Sequence, residues 1–335
     1  MLERLADDYQ VVIKTGIPET TFRSLPPSCS VLPEMVDAGC IQRNFIEIDI
    51  ERSFQNLAGF YRTRAGRLKR ERKWLEDQSI DLIVCDAPSL PLKAAHDHGI
   101  PALLLANFTW HDIYSHFPRA GEYSALLEIL NEEYACASLQ ILPQCALVND
   151  HPIPKEEVGF ISLTGHPVRS RLEEKLNLPM ADKTVVFVYL GVAESTEVQW
   201  DNLAHLQECV FITRDPLPER RRPKNLAVLD ESFAFPNLIA SADVVVTKAG
   251  YATLATAFTH AKPVLSCSRE DFREFEVMKR YLESKGVGLM VPEGDFYACR
   301  WGDWIERAAG IQVAGKIRLN GAEEVANIVG RYLKT

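Results

Sequence analysis

Long apolar runs are missing from this 335-residue chain. Nothing in it approaches the ~20 consecutive apolar residues that a membrane-spanning helix needs. The start, Met1 to Asp8, has no apolar signal core. A soluble, cytoplasmic protein with no transmembrane segment is the expectation. Paired cysteines are also missing: the eight cysteines stand singly at 29, 40, 85, 136, 145, 209, 267 and 299, with no Cys-x-x-Cys and no histidine spacing that closes a zinc site. They read as reduced thiols, Cys85 and Cys267 as small hydrophobes in apolar strands, and no metal is expected. A basic excess is missing as well, since the formal net charge of −9 argues against general nucleic-acid binding. Internal repeats and low-complexity tracts are absent.

What remains is an ordinary globular composition, 47% hydrophobic and 25% charged. The length exceeds what one hydrophobic core usually serves, so two domains are expected. Strand-like and helix-like segments alternate throughout, the pattern of parallel sheets covered by helices. In the first half strands are predicted over 10–13, 44–46, 80–85, 102–106 and 139–142, with helices over 50–78, 90–98 and 123–136. In the second half strands are predicted over 184–190, 209–213, 226–229, 244–246, 263–266 and 288–291, with helices between them. Val325, Ile328, Val329 and Leu333 have helical spacing near the end of the chain.

The stretch from Ser241 to Ser266 is the most informative. Val244 to Val246 is a continuous β-branched run, as in a strand buried on both faces; Lys248-Ala249-Gly250 breaks it, and a helix follows from Tyr251. Gly250 can adopt backbone conformations closed to other residues, and the free N–H groups at the start of the helix form an anion site suited to phosphate. Such turns also occur in αβ units for purely structural reasons. In its Ala-Asp-aliphatic strand, its small-Gly-aromatic-small-Thr turn and its Ala-Lys-Pro-aliphatic strand, the segment resembles the donor-nucleotide region of GT-B glycosyltransferases of family 28 and its relatives. Thr164-Gly165-His166-Pro167-Val168-Arg169 resembles the connection into the second domain in the family of the peptidoglycan N-acetylglucosaminyltransferase. Asp81 to Asp86, Asn107 to Tyr114 and Arg318 to Glu323 resemble the glycosyltransferase-like half of plant L-arabinokinases.

The resemblance implies an α/β, GT-B architecture of two Rossmann-like doubly wound domains facing a ligand cleft. Residues 1–160 would form the acceptor-side domain, 165–318 the nucleotide-sugar donor domain, and 319–335 a helix crossing back. The family begins with a strand, a Gly-rich loop often holding a histidine, and a helix. This chain starts within what reads as that helix, so a truncated or misassigned start is expected. The implied activity is inverting, metal-independent transfer from a nucleotide-diphosphate donor, a UDP-sugar, with the nucleotide sugar as co-substrate and no other cofactor.

Around the diphosphate the resemblance puts Gly191, Lys248, Gly250, Tyr251 and Thr253, with the helix dipole and backbone N–H groups in place of a cation. For Lys248 a solvated loop lysine is the alternative, and for Thr253 a hydroxyl spent on its own helix. Phe235 is placed beside the base, or else is a core aromatic. Glu274, then Glu276, would accept hydrogen bonds from sugar hydroxyls. Thr256 stands where the family usually has a ribose-binding glutamate, and Val192-Ala-Glu-Ser-Thr196 replaces a more Gly-rich loop.

No residue inherits the family histidine, so Asp86, at a strand's end before Pro88 and Ser89, is the first candidate base. His111 and Asp112 come second, with helix capping as the alternative for Asp112. Arg62, Arg64, Arg67, Lys69, Arg70, Arg72 and Lys73 would meet an anionic or lipid-linked acceptor, or form the wet face of a helix. A catalytically silent nucleotide-sugar-binding or regulatory protein and a nucleotide-sugar hydrolase are the rival readings.

Overall fold

The computed structural model describes residues 1–18, 22, 25–191, 196–269 and 272–334. They divide into two compact units. Met1–Ile41, Asp49–Ile161 and Asn320–Thr335 form the first; Gln42–Ile48 and Ser162–Leu319 form the second.

The first unit opens with α1 (Leu2–Ala6), β1 (Val11–Thr15) and β2 (Cys29–Pro33), the two strands pairing in parallel. There follow α2 (Ile50–Arg62), α3 (Arg64–Asp77), β3 (Ile83–Cys85), α4 (Leu90–Asp97), β4 (Ala102–Leu105), α5 (Trp110–His116), α6 (Ser124–Tyr134), β5 (Leu139–Pro143) and β6 (Lys155–Val158). Strands β3 to β6 make a four-stranded parallel sheet in chain order. The predicted helix over 50–78 is two helices: Thr63 leaves helical geometry at φ −102°, ψ 14°, and its hydroxyl donates to the Phe60 carbonyl, competing with the helical ladder.

The predicted strand over 44–46 is absent. Asn44 Oδ1 accepts from the N–H groups of Ile46 and Glu47 at 2.8 and 2.7 Å, a local turn that Asn favours over extension. It swings Phe45, fully buried, against Phe296 and Tyr297 of the second unit's core.

The second unit runs α7 (Arg169–Leu176), β7 (Thr184–Tyr189), β8 (Cys209–Thr213), β9 (Leu226–Val228), α8 (Phe235–Ser241), β10 (Val244–Thr247), α9 (Tyr251–Thr259), β11 (Val264–Ser266), α10 (Glu274–Lys285), β12 (Gly288–Met290), α11 (Glu293–Tyr297) and α12 (Gly302–Ala309). Its six parallel strands lie in the order β12-β11-β10-β7-β8-β9. Counted along the unit, that is the doubly wound order 3-2-1-4-5-6, whose direction reverses between β7 and β10. Val185 to Val188 and Val244 to Val246 are fully buried, as continuous apolar strands covered on both faces must be.

The last helix, α13 (Gly321–Leu333), belongs to the first unit and packs Val325, Ile328 and Val329 with Leu103, Leu105, Leu139 and Ile141. A Cβ on Gly321 would lie 2.0 Å from the Gly159 carbonyl oxygen, so only glycine lets this helix start there. The Thr164 to Arg169 motif has a similar cause. A Cβ on Gly165 would lie 2.4 Å from the Pro236 carbonyl carbon at the start of α8, and the flanking N–H groups of Gly165, His166 and Val168 donate to His260, Asn237 and Ser241. Among the described residues, no helix is long and apolar enough to cross a membrane.

Candidate functional site

The reversal between β7 and β10 brings together the residues that follow those strands, the position where doubly wound sheets bind ligands. Gly191 ends the described part of the β7 loop with φ +94°, and a Cβ there would lie 3.2 Å from Lys248 Nζ. Glycine is thus needed both for the turn and for the lysine packed on it. Lys248 is half-buried. Burial first, then the Arg269 guanidinium, lower its pKa to about 8, opposed by Asp215 and Glu274. Its ammonium donates to Gln42 Oε1 at 3.4 Å, and Arg269 Nε donates to the Ile46 carbonyl at 3.0 Å. The excursion 42–48 thus lies on both cations of this edge.

Asp215, two residues beyond β8 and 1% exposed, carries no signal in the sequence. Its carboxylate accepts the N–H of Leu190 at 2.5 Å and of Gly191 at 3.1 Å. Burial pushes its pKa up to about 6 against the pull of those two bonds and of Lys248.

Helix α9 starts where predicted, but its entry differs. Gly250 is the N-cap at φ −70°, ψ 140°, a conformation any residue adopts, while Ala249 takes the left-handed φ of +57°. A Cβ on Gly250 would meet nothing within 4 Å, so space for an approaching ligand, rather than a special dihedral, is what this glycine offers. Tyr251 is half-buried in the first turn and Thr253 is buried. Thr256 is 1% exposed and its hydroxyl donates to the Ala252 carbonyl at 2.8 Å, so it is spent on its own helix.

Glu274 is buried at the start of α10, in reach of the Lys248 charge, whereas Glu276 is exposed. Phe235 is half-buried edge-on to Tyr189 and Phe187, with centroids 4.9 and 5.4 Å away. This is the packing of an aromatic cluster. The loop departure read at 192–195, like Glu270 and Asp271, lies outside the described residues.

No protein-family model matches the chain. It is 24% identical over 335 residues, 97% of this chain, to an L-arabinokinase of Arabidopsis thaliana, and spans 32% of that protein's length. An uncharacterized glycosyltransferase of Methanopyrus kandleri, MK0977, is 23% identical over 283 residues, 79% of this chain and 80% of that protein. The solved structure of the glycotransferase of kitacinnamycin is similar at a TM-score of 0.68 and 14% identity, over 99% of this chain and 94% of that one. The fold is GT-B. Identity this low carries the fold and nothing finer.

In the first unit of this GT-B chain, Asp86 follows β3 and is exposed. Protein crowding around the carboxyl, then the charge of Asp37, raises its pKa to about 6. Asp37 itself accepts the Trp110 indole N–H at 2.7 Å, and burial raises its pKa too. Asp112 is buried in a capping box: it accepts the N–H and hydroxyl of Thr109 at 3.0 and 2.6 Å, and Thr109 Oγ1 accepts the Asp112 N–H. That geometry spends the carboxylate on starting α5, the helix-capping alternative for Asp112. His111 is half-buried with its ring centroid 5.6 Å from that of His151.

Three of the seven residues of the basic run are paired with carboxylates of the protein itself. Arg64 pairs with the fully buried Glu133 at 2.7 Å, Arg72 pairs with Asp97, Lys73 with Asp77 at 2.8 Å, and Arg67 lies 3.9 Å over the Phe60 ring. The wet face of a helix accounts for it better than an anion site does.

Proposed function

We propose that this chain is a glycosyltransferase of the family 28 type, taking its donor, a UDP-sugar, at the carboxyl edge of the second unit's sheet. The observation that carries the reading is Lys248 packed on Gly191 at the sheet reversal, with the nine-residue helix α9 beginning three positions later. A partly buried ammonium at the positive end of a helix dipole is suited to neutralise a leaving diphosphate without a metal ion. Gly250 leaves space above the helix start, Tyr251 and Thr253 belong to its first turn, and the charge of Glu274 acts on the same lysine.

In the first unit Asp86 is the candidate base for the acceptor hydroxyl. A carboxylate poised near pH 6 is both deprotonated and usefully basic at neutral pH. Inversion follows if that base activates the acceptor for direct attack at the anomeric carbon.

A second reading, a silent nucleotide-sugar-binding protein, is favoured by Thr256, whose buried, helix-bonded hydroxyl cannot replace a carboxylate's grip on ribose. A thermal-shift panel with UDP, GDP, dTDP, CMP and their sugars separates the readings. A ligand at ~100 times its Kd stabilises by ~2.7 kcal/mol. A selective UDP shift, lost in Lys248→Ala, supports the donor site; transfer lost in Asp86→Asn with that shift retained supports catalysis. Binding without turnover supports the silent reading, free sugar released without acceptor a hydrolase, and no shift with any nucleotide refutes the donor site.

A further inference from the structure

Among the described residues, Lys248 at the sheet reversal sits among charges of both signs. Lys248 feels Arg269 as a like charge and Asp215 and Glu274 as opposite ones, two cations against two carboxylates. A diphosphate reaching this edge therefore meets carboxylates as well as cations. It also meets a competitor, because the N–H groups of Leu190 and Gly191, at the end of the strand that leads to the β7 loop, already donate to Asp215 at 2.5 and 3.1 Å. Asp215 is held in that position by its own N–H, which donates to Thr213 Oγ1 at 2.9 Å, and it has almost no solvent access.

We propose that Asp215 is a charge gate on the donor site: its carboxylate occupies the Leu190 and Gly191 N–H groups that a diphosphate competes for, so the diphosphate binds together with a proton taken up by Asp215. The proposal rests on the reading of this edge as a diphosphate site.

The proton comes from solvent, adds to one carboxylate oxygen of Asp215, and cancels the charge that would otherwise repel the phosphates; no other bond is made or broken. Among the described residues, the groups that act on Asp215 by charge are Lys248 from the turn after β10 and Tyr189 from β7, with Arg214 beside it in the chain. Arg269 and Glu274 act one step out, on Lys248. Of these only Lys248 is a cation facing the carboxylate, and a bound diphosphate would draw that cation's field to itself, leaving Asp215 easier to protonate. The neutral acid can still accept at one oxygen while donating its own proton to a phosphate oxygen.

The test is calorimetric titration of the full chain with UDP at pH 6 and pH 8, in buffers of different ionisation enthalpy, for wild type and Asp215→Asn. Ionisation of UDP itself is common to both proteins and cancels in the comparison. The expected result is greater proton uptake by wild type, a wild-type affinity that weakens relative to the variant by up to about ten-fold per pH unit between pH 6 and 8, and tighter binding by the variant at pH 8. Equal proton uptake and equal pH dependence in the two proteins overturn the gate while leaving the donor site standing. If folded wild type binds neither UDP nor inorganic pyrophosphate at either pH, the donor site falls and the gate with it. Should Asp215→Asn not fold, uptake of no more than UDP's own ionisation requires in wild type is enough to overturn the gate.

Discussion

Replacing Asp215 by Asn is expected to change how the stability of the second unit depends on pH, whether or not any ligand binds. The folded-state pKa of Asp215 is raised from 3.8 to about 6. A raised carboxyl favours its protonated form in the fold, so its contribution is fully present below about pH 4 and is lost as pH rises through about 6. The gap between 3.8 and about 6 amounts to about 3 kcal/mol at ~1.4 kcal/mol per pH unit, and 1% exposure leaves little solvent screening to reduce it.

The substitution also disturbs the Leu190 and Gly191 bonds; their preference for the charged form is already contained in the shifted pKa, and the rest of that cost is the same at every pH. The stability difference between variant and wild type should therefore move by about 3 kcal/mol in the variant's favour between pH 4 and pH 8. Hydrogen exchange of peptides spanning β7, β8 and β10 reads the opening of this unit apart from the first. A difference that stays flat with pH would refute the reasoning, because it would mean the buried carboxylate is as well solvated by its partners as in the unfolded chain.

Gly165→Ala should destabilise by about 3 kcal/mol or more, since its Cβ would sit 2.4 Å from the backbone of Pro236. Gly59→Ala, inside α2 with nothing within 4 Å of its Cβ, is the control expected to be neutral or stabilising in the same thermal melts. Gln140→Met should raise stability by about 1 kcal/mol or more in urea denaturation, because both amide atoms of this fully buried side chain lack a hydrogen-bond partner among the described residues; a loss of that size instead would show that the amide is satisfied.

The second sheet was legible because its strands are covered on both faces. Val185-Val186-Phe187-Val188 and Val244-Val245-Val246 are continuous apolar runs that no surface element would carry. In the first unit the same logic finds β4 and β5 but not β6, whose Lys155-Glu156-Glu157-Val158 lies at a sheet edge and keeps its charges in solvent. It also misreads 44–46, where apolar Phe45 and Ile46 suggest extension and the Asn44 side chain imposes a turn. A local hydrogen bond outweighed a propensity, and the buried phenylalanine was correctly apolar for the wrong unit.

At the candidate site, Lys248 and Gly191 were singled out by the family resemblance, and the structure puts each just beyond a strand end, at the sheet reversal. Asp215 was not, and the reason is topological. An aspartate two residues after a strand has no distinctive pattern; it acquires meaning only when β8 lies beside β7, so that its carboxylate reaches the N–H groups of Leu190 and Gly191, 25 and 24 positions away in sequence. Gly250 shows the converse error. The glycine drew the special dihedral in the reading, but an N-cap needs extended backbone, and the positive φ passed to Ala249. A left-handed alanine is a cost, and among the described residues the fold bears it here as at Ala87 and Ala261. Here Ala249 lies between Lys248, which packs on Gly191, and the N-cap of α9, so the turn joins the two features from which the proposed donor site is argued.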